Sequence, residues 1–342
     1  MIGAKVPKER AERFRAILTK AGKVDKTHAI LEDNSFVMIP LLGSIDGSLL
    51  REYCAQYIEL SFPSRKSRKD PIDQIRECAE VPGHVKGLLP DKWERFGTVL
   101  VIRLDHQLDR YEKEVARAYA SVLDTKTVLR DVGGVSGQYR EPVTKLLFGT
   151  DTVTTHLENG INYRFDAAKI MFSSGNVEER MRMSEIPCQG ETVLDMFAGI
   201  GYFSLPIAVY QNPKKVIACE INPVAHQFLV ENIGLNGVKG VVEPVLGDNR
   251  DLPGTGFADR IIMGYVRTTH EFVPTAMRYL RDGGVIHYHE TCPNELLPNR
   301  PLERILSGAK GRRVEVCRFK HLKSYSPGVT HVVIDARVFR AS

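Results

Sequence analysis

The run Thr192-Val-Leu-Asp-Met-Phe-Ala-Gly-Ile-Gly-Tyr-Phe-Ser204 constrains this chain more than any other stretch. Small or apolar residues lead into an acid, Asp195. A glycine pair follows, Gly199 and Gly201, and then a run compatible with a helix, Phe203 to Tyr210. This is the order of a buried strand, a tight turn and a helix N-terminus. Glycines in such a turn admit close approach of the backbone to a ligand, where a Cβ would collide. The string departs from the dinucleotide fingerprint, because Ser204 stands where the third glycine of G-x-G-x-x-G belongs, and a nicotinamide dinucleotide is therefore disfavoured.

From about residue 175 onward, strand and helix patterns alternate as in a doubly wound sheet. Strands are predicted at Thr192–Met196, Lys215–Glu220, Val241–Val245, Arg260–Met263 and Gly284–Tyr288. Helices are predicted at Phe203–Tyr210, Pro223–Leu235 and Glu271–Leu280, and Arg313–Lys320 with Thr330–Phe339 reads as a closing antiparallel hairpin. Ligands of such sheets sit beyond the carboxyl ends of the strands. Glu220 ends the second strand about twenty residues past the glycine turn, where an acid can accept both ribose hydroxyls. Asn222 is placed to cap the next helix. Asp248, after the third strand, is placed to accept the exocyclic amine of adenine. The D-x-F-x-G-x-G string resembles S-adenosylmethionine (AdoMet)-dependent transferases, and with acids at three successive strand ends AdoMet is the expected cofactor.

At 342 residues the chain has room for two or three domains. Residues 1–60 read as a small α/β module, with a helix over 7–22 and strands near His28–Leu31 and Ser35–Pro40. Residues 61–72 form a linker holding the basic knot Ser64-Arg-Lys-Ser-Arg-Lys69. Residues 73–174 read as a β-rich α+β domain, and 175–342 as the AdoMet domain. The predicted fold class is thus α/β: a C-terminal doubly wound, Rossmann-like AdoMet-dependent transferase domain preceded by small α/β and α+β domains. The net charge of +5 is mild, but Lys5, Lys8, Arg10, Arg13, Arg15, Lys20, Lys23 and Lys26 crowd the N-terminus against Glu9, Glu12 and Asp25. Such a cluster suits phosphates; a solvated helix face is the alternative. No apolar run approaches the ~20 residues needed to span a bilayer, and the N-terminus has no signal-peptide core, so a cytoplasmic protein is expected. Six scattered cysteines without a C-x-x-C pair imply reduced thiols and no metal site.

Three strings together, Val135–Pro142, Phe172–Arg182 and the turn at 195–201, resemble two sister families that act on tRNA position 37, beside the anticodon. One makes 1-methylguanosine. The other is the wybutosine-pathway aminocarboxypropyltransferase, which moves the 3-amino-3-carboxypropyl group of AdoMet to the C7 carbon of 4-demethylwyosine in tRNA-Phe and releases methylthioadenosine. The methyltransferases carry an Asn-Leu-Pro or Asn-Pro-Pro string at the fourth strand end. This chain reads Gly264-Tyr-Val-Arg267 there, which, with His287-Tyr-His-Glu-Thr291 and Phe172-Ser-Ser-Gly-Asn176, resembles the aminocarboxypropyl enzyme.

The resemblance implies AdoMet contacts at Ser173, Asn176, Arg180, Asp195, Phe197, Ala198, Gly199, Gly201, Glu220, Ile221, Asp248 and Asn249. It implies tRNA contacts at Lys5, Lys8, Arg15, Tyr139 and Arg140, made to the anticodon loop and the tRNA body by a monomer. All three carbons on the AdoMet sulfonium are electrophilic, so orientation selects the product. His289 or Glu290 is expected to accept the proton lost after carbon attack, and Arg267 to hold the migrating carboxylate or a tRNA phosphate. Strand-end packing is the alternative for His287 and His289. The alternative activities are tRNA guanine-37 N1-methylation and, more remotely, non-catalytic AdoMet or RNA binding.

Overall fold

The computed structural model describes residues 1–64, 69–137 and 139–340, and the chain divides into two compact units, Met1–Asp73 and Gln74–Ser342. Residues 65–68, the centre of the basic knot, lie outside the described residues, as does Gln138.

The first unit is built on four antiparallel strands in the order β2-β3-β1-β4. They are β1 (Ile2–Pro7), β2 (Leu31–Glu32), β3 (Phe36–Pro40) and β4 (Gln56–Glu59). Strand β1 is not visible to a helix-first reading, yet its alternation is clear: Ala4 and Val6 are buried while Lys5 between them is not. Helix α1 (Lys8–Lys20) follows at once, with Pro7 holding the extended conformation before it, and buries Ala11, Phe14 and Leu18. Ile17, predicted to join that stripe, is 39% exposed. The strand expected at His28–Leu31 shrinks to β2, because the carboxylate of Asp25 accepts the Thr27 amide and hydroxyl and holds the His28 ring in a local turn. A short helix, α2 (Gly47–Glu52), begins at Asp46, whose side chain accepts from the Ser48 amide.

The second unit has two main sheets and a hairpin. Helix α3 (Pro71–Cys78) straddles the division between the units. Strands β5 (Trp93–Phe96), β6 (Val99–Ile102), β7 (Thr127–Ser136) and β8 (Glu141–Phe148) form a sheet in that order, with helix α4 (Glu112–Leu123) between β6 and β7. Strands β9 (Val153–Glu158) and β10 (Ile161–Asp166) form the hairpin. Helix α5 (Val177–Met183) leads into the large sheet.

The large sheet has seven strands: β11 (Thr192–Asp195), β12 (Lys215–Glu220), β13 (Val242–Leu246), β14 (Ala258–Met263), β15 (Leu280–Pro293), β16 (Arg313–Ser326) and β17 (Val329–Phe339). Their order is β13-β12-β11-β14-β15-β17-β16. The first five pair in parallel and β17 and β16 close the edge antiparallel. Helices α6 (Ser204–Tyr210), α7 (Pro223–Leu235), α8 (Val273–Tyr279) and α9 (Asn299–Gly308) cover it. Strand order reverses at β11, where the chain first winds outward to β13 and then crosses back to β14. Successive residues of β11 serve opposite faces: Val193 packs with Val216 and Leu229 on one side, Leu194 with Met263 and Tyr288 on the other. The first of these cores also takes in Phe96, Leu129, Tyr163 and Phe172, so the hairpin and the β5–β8 sheet are packed directly against the layer that carries the glycine turn. No helix among the described residues is long and apolar enough to cross a membrane.

Candidate active site

A cleft of about 430 Å³ opens at the carboxyl ends of the parallel strands. Its floor is the turn after β11. Gly199 and Gly201 hold φ of +57° and +100°, a left-handed region that side chains avoid. A Cβ at Gly199 would lie 2.5 Å from the Tyr202 ring, and one at Gly201 would lie 2.6 Å from Leu205. The glycines are therefore required by the fold of the turn itself, and Gly201 does not line the cleft. The same correction applies to Asp195 and Ala198. Asp195 is fully buried and accepts from the Ser204 hydroxyl (2.8 Å) and the Phe197 amide (3.2 Å), which staples strand end to helix start. Burial pushes its carboxyl up to about 6. Serine at the third-glycine position is thus a partner of the acid.

One flank of the cleft comes from β12 and β13. Glu220 receives the Gly199 amide (2.7 Å) and the Asn222 amide (2.8 Å), and each oxygen keeps a lone pair for the cleft. Burial raises its carboxyl against those hydrogen bonds. Asn222 caps α7 through the Val224 amide, as expected. Asp248 lines the cleft but its carboxylate is taken by the Arg250 guanidinium, which holds it below the usual range. Asn249 offers the better free acceptor. Its amide nitrogen donates to the Met196 carbonyl (2.8 Å), while its Oδ1 is buried with no partner. Phe197 and Tyr265 stack at 5.3 Å and both line the cleft, as does Ile221. A buried unpaired acceptor, a free carboxylate edge and an apolar aromatic wall fit the adenosine part of AdoMet.

The opposite flank comes from β15, β17, β16 and the segment before α5. Ser173, Asn176, Arg180, His289, Lys323 and His331 line it, and Tyr139 and Arg140 reach it from the turn between β7 and β8. Arg180 is a strut: its guanidinium is bidentate on Glu158 (2.5 and 2.8 Å) and donates to the Ser173 carbonyl (2.9 Å). His289 is fully buried, stacks on Phe203 at 5.4 Å, and lies 3.2 Å from the His331 ring. Burial drives both imidazoles down to about 3, so they are neutral at pH 7. Behind them Glu179, Arg182, Asp335, His287 and Arg260 form a buried chain of ion pairs and hydrogen bonds. Burial opposes the Asp335 charge, yet His287 and Arg182 outweigh it and hold that carboxyl at about 2.

Two predicted catalytic residues are not in the cleft. Neighbours on a strand face opposite sides, so when His289 faces the cleft Glu290 cannot. Glu290 lies on the far face, 1% exposed, accepting Tyr288 Oη (2.7 Å) and ion-paired to Arg300 and Arg304. Arg267 is exposed, and the loop that carries it contributes Gly264, Tyr265, Val266 and Thr268 to the lining but not its side chain. The glycine at 264 has a reason of its own, since a Cβ there would lie 2.8 Å from the Phe203 ring. In the first unit, Lys5 sits 4.2 Å over the Phe36 ring, Lys8 is 3.6 Å from Glu32, and Arg15 is bound by Glu12.

Lys323 and His331 were missed, and no local motif marks them. They are register partners across β16 and β17, so only the hairpin pairing sets them side by side.

Family models match three consecutive parts of the chain: the tRNA methyltransferase 5 N-terminal domain at residues 3–49, the TYW2 N-terminal domain at 76–152, and the TRM5/TYW2 methyltransferase domain at 154–317. A tRNA(Phe) (4-demethylwyosine(37)-C(7)) aminocarboxypropyltransferase of Pyrococcus horikoshii is 50% identical over 272 residues, 78% of this chain and 97% of that protein. The tRNA (guanine(37)-N(1))-methyltransferase Trm5b of Pyrococcus abyssi is 36% identical over 341 residues, 98% of this chain and 99% of its own. The crystal structure of P. horikoshii TYW2 in complex with MeSAdo superposes with a TM-score of 0.72 at 48% identity, covering 79% of this chain and 100% of that one. With the fold, the cleft and these relatives agreeing, the chain belongs to the TRM5/TYW2 family, on its TYW2 side.

Proposed function

We infer that this protein is an AdoMet-dependent tRNA aminocarboxypropyltransferase, which moves the 3-amino-3-carboxypropyl group of AdoMet to C7 of 4-demethylwyosine at position 37 of tRNA-Phe and releases methylthioadenosine. The observation that carries the reading is the 50% identity to the P. horikoshii enzyme of that name across almost its whole length. The fourth strand end agrees with it: it reads Gly264-Tyr-Val-Arg267, and a side chain at 264 would have to displace the Phe203 ring.

AdoMet supplies an electrophilic carbon next to its sulfonium, and the pocket decides which of the three such carbons meets the base. Glu220 and Asn249 hold the nucleoside end, with Phe197 and Tyr265 as its apolar wall. Ser173, Asn176 and the neutral His289–His331 pair border the methionine arm. Positioning is the main contribution of these residues, since attack by an electron-rich ring carbon needs no strong base beforehand. Tyr139 and Arg140, on the rim beside the arm, are offered as contacts to the anticodon loop. Lys5 and Lys8 are offered as phosphate contacts to the tRNA body; Arg15, already neutralised by Glu12, contributes less. A monomeric protein acting in the cytoplasm is part of the same proposal.

AdoMet labelled separately in the methyl group and in the methionine backbone, supplied with tRNA-Phe bearing the tricyclic base, tests the reading. Backbone label entering the tRNA is the expected result. Methyl label entering without it would replace this reading by N1-methylation, the activity named for Trm5b.

A further inference from the structure

Strand β16 is the free edge of the seven-stranded sheet, and bulges sort its side chains between two faces. The register slips between Val316 and Arg318, so Val316 and Phe319, three apart, share a face. It slips again between His321 and Lys323, which sends the lysine to the cleft and leaves the histidine on the opposite face. On that opposite face a groove of about 670 Å³ lies between β16 and residues 297–302, at the start of α9. Leu297, Pro298 and Leu302 form one wall, and Val316, Phe319 and His321 form the other. The Phe319 and His321 rings meet edge to face at 5.4 Å. At the mouth, Thr330 Oγ1 donates to Asn294 Oδ1 (2.7 Å), which leaves the Asn294 amide nitrogen free to donate. Thr330 borders the groove and its neighbour His331 borders the cleft, so the two hollows open at the same end of the sheet, on either side of one hairpin.

Charge says what such a groove can hold. From residue 310 to 323 the chain carries Lys310, Arg312, Arg313, Arg318, Lys320 and Lys323 against a single acid, Glu315. Glu315 is paired to Arg313, and the Glu178 that meets Lys320 at 3.3 Å has a side chain 75% exposed, a weakly held partner. Cations and bulges on an edge strand discourage a second strand from adding to it, and the same cations attract a polyanion. Aromatic rings, a side-chain amide and cations along one strand are the means by which proteins hold single-stranded RNA. We propose that the groove is a second RNA site, which takes an unstacked base flanking the target base in the anticodon loop while the sugar-phosphate chain passes over the basic edge of β16. Drawing the target base into the cleft breaks its stacking on its neighbours, and the groove returns a stacking surface to one of them. The inference rests on the reading of the cleft as a tRNA-modifying site.

A binding cycle tests it: wild type and Phe319→Leu, each titrated with tRNA-Phe bearing the tricyclic base, intact or with one flanking nucleotide made abasic. In wild type, one of the two abasic positions is expected to weaken binding about tenfold, the loss of one base–aromatic stack. Phe319→Leu keeps an apolar side chain but removes the ring face. It weakens intact tRNA to the same extent and makes that abasic position neutral, while AdoMet affinity stays within about twofold. Losses that multiply independently overturn the proposal, as does a variant that binds intact tRNA like wild type. A parallel weakening of AdoMet also overturns it and makes the groove a support of the cleft. So does loss of self-association in Phe319→Leu with tRNA affinity intact, which would make the groove a protein contact. If Phe319→Leu does not fold, the exposed His321→Ala decides by the same cycle. The outcomes separate from those of the label experiment: methyl transfer by wild type would defeat the functional reading and leave the coupling between groove and flanking base standing, since binding alone reads it.

Discussion

The two flanks of the cleft are held by different kinds of structure. On the nucleoside flank each functional group sits at the end of its own parallel strand, within a few residues of the turn it serves: Glu220 after β12, Asp248 and Asn249 after β13. On the arm flank the groups come from places far apart in sequence, with Lys323 150 residues from its partner Ser173 and His289 42 residues from His331. The first flank is polar through carboxylate and amide acceptors; the second is cationic or neutral and backed by the buried Glu179–Arg182–Asp335–His287 chain. The flank proposed for the nucleoside is assembled locally, while the groups proposed to border the transferred arm depend on long-range pairing.

If that division is right, damage to the nucleoside flank is large and indifferent to the arm. Glu220→Ala removes the carboxylate edge and leaves the Gly199 and Asn222 amides without their acceptor. It should weaken AdoMet and methylthioadenosine alike by about a hundredfold, near 3 kcal/mol. Calorimetric titration of both ligands would show this, and a loss confined to AdoMet would mean the flanks are misassigned.

The rim tests the other side of the comparison. Arg140→Ala should lower the single-turnover rate with tRNA by about tenfold, the loss of a charged contact, while the AdoMet dissociation constant stays within about twofold. An equal loss in both would move Arg140 from the tRNA side to the cofactor side.

A smaller effect comes from the neutral histidines. A histidine depressed to about 3 in the fold, but free to take a proton near pH 6.5 when unfolded, destabilises the native state as pH falls between those values. For His331 the contribution is about 2 kcal/mol between pH 6.5 and 5. Asp195 works in the opposite sense over part of the same range, because its raised carboxyl binds its proton earlier in the fold. The comparison must therefore be made within one background: denaturant unfolding of His331→Gln should fall less steeply than wild type from pH 6.5 to 5. Parallel slopes would mean that His331 is not held neutral.

Much of this was legible from local strings. The strand–turn–helix at 192–204, the acid at 220 and the cap at 222 follow from residue type and spacing, and the doubly wound order follows from alternating patterns. Roles assigned by adjacency fared worse. His289 and Glu290 look equivalent in a string, yet a strand sends neighbours to opposite faces, so one borders the cleft and the other is locked between Arg300 and Arg304. Asp195 reads as a ligand contact, but with Ser204 in place it holds the turn instead. Asn249 gained weight over Asp248 because Arg250, two residues on, occupies the acid.

The sequence by itself determined the fold class, the glycine turn and the polar residues at the strand ends, because backbone freedom, strand periodicity and capping act over a few residues. Only the tertiary structure decided what lines the opposite wall of the cleft. Lys323, His331, His289 and Ser173 share that wall because β17 pairs with both β15 and β16 and because the segment before α5 packs against their ends. Register between distant strands is fixed by the sum of their cross-strand contacts, a quantity spread over the whole hairpin and written in no single motif.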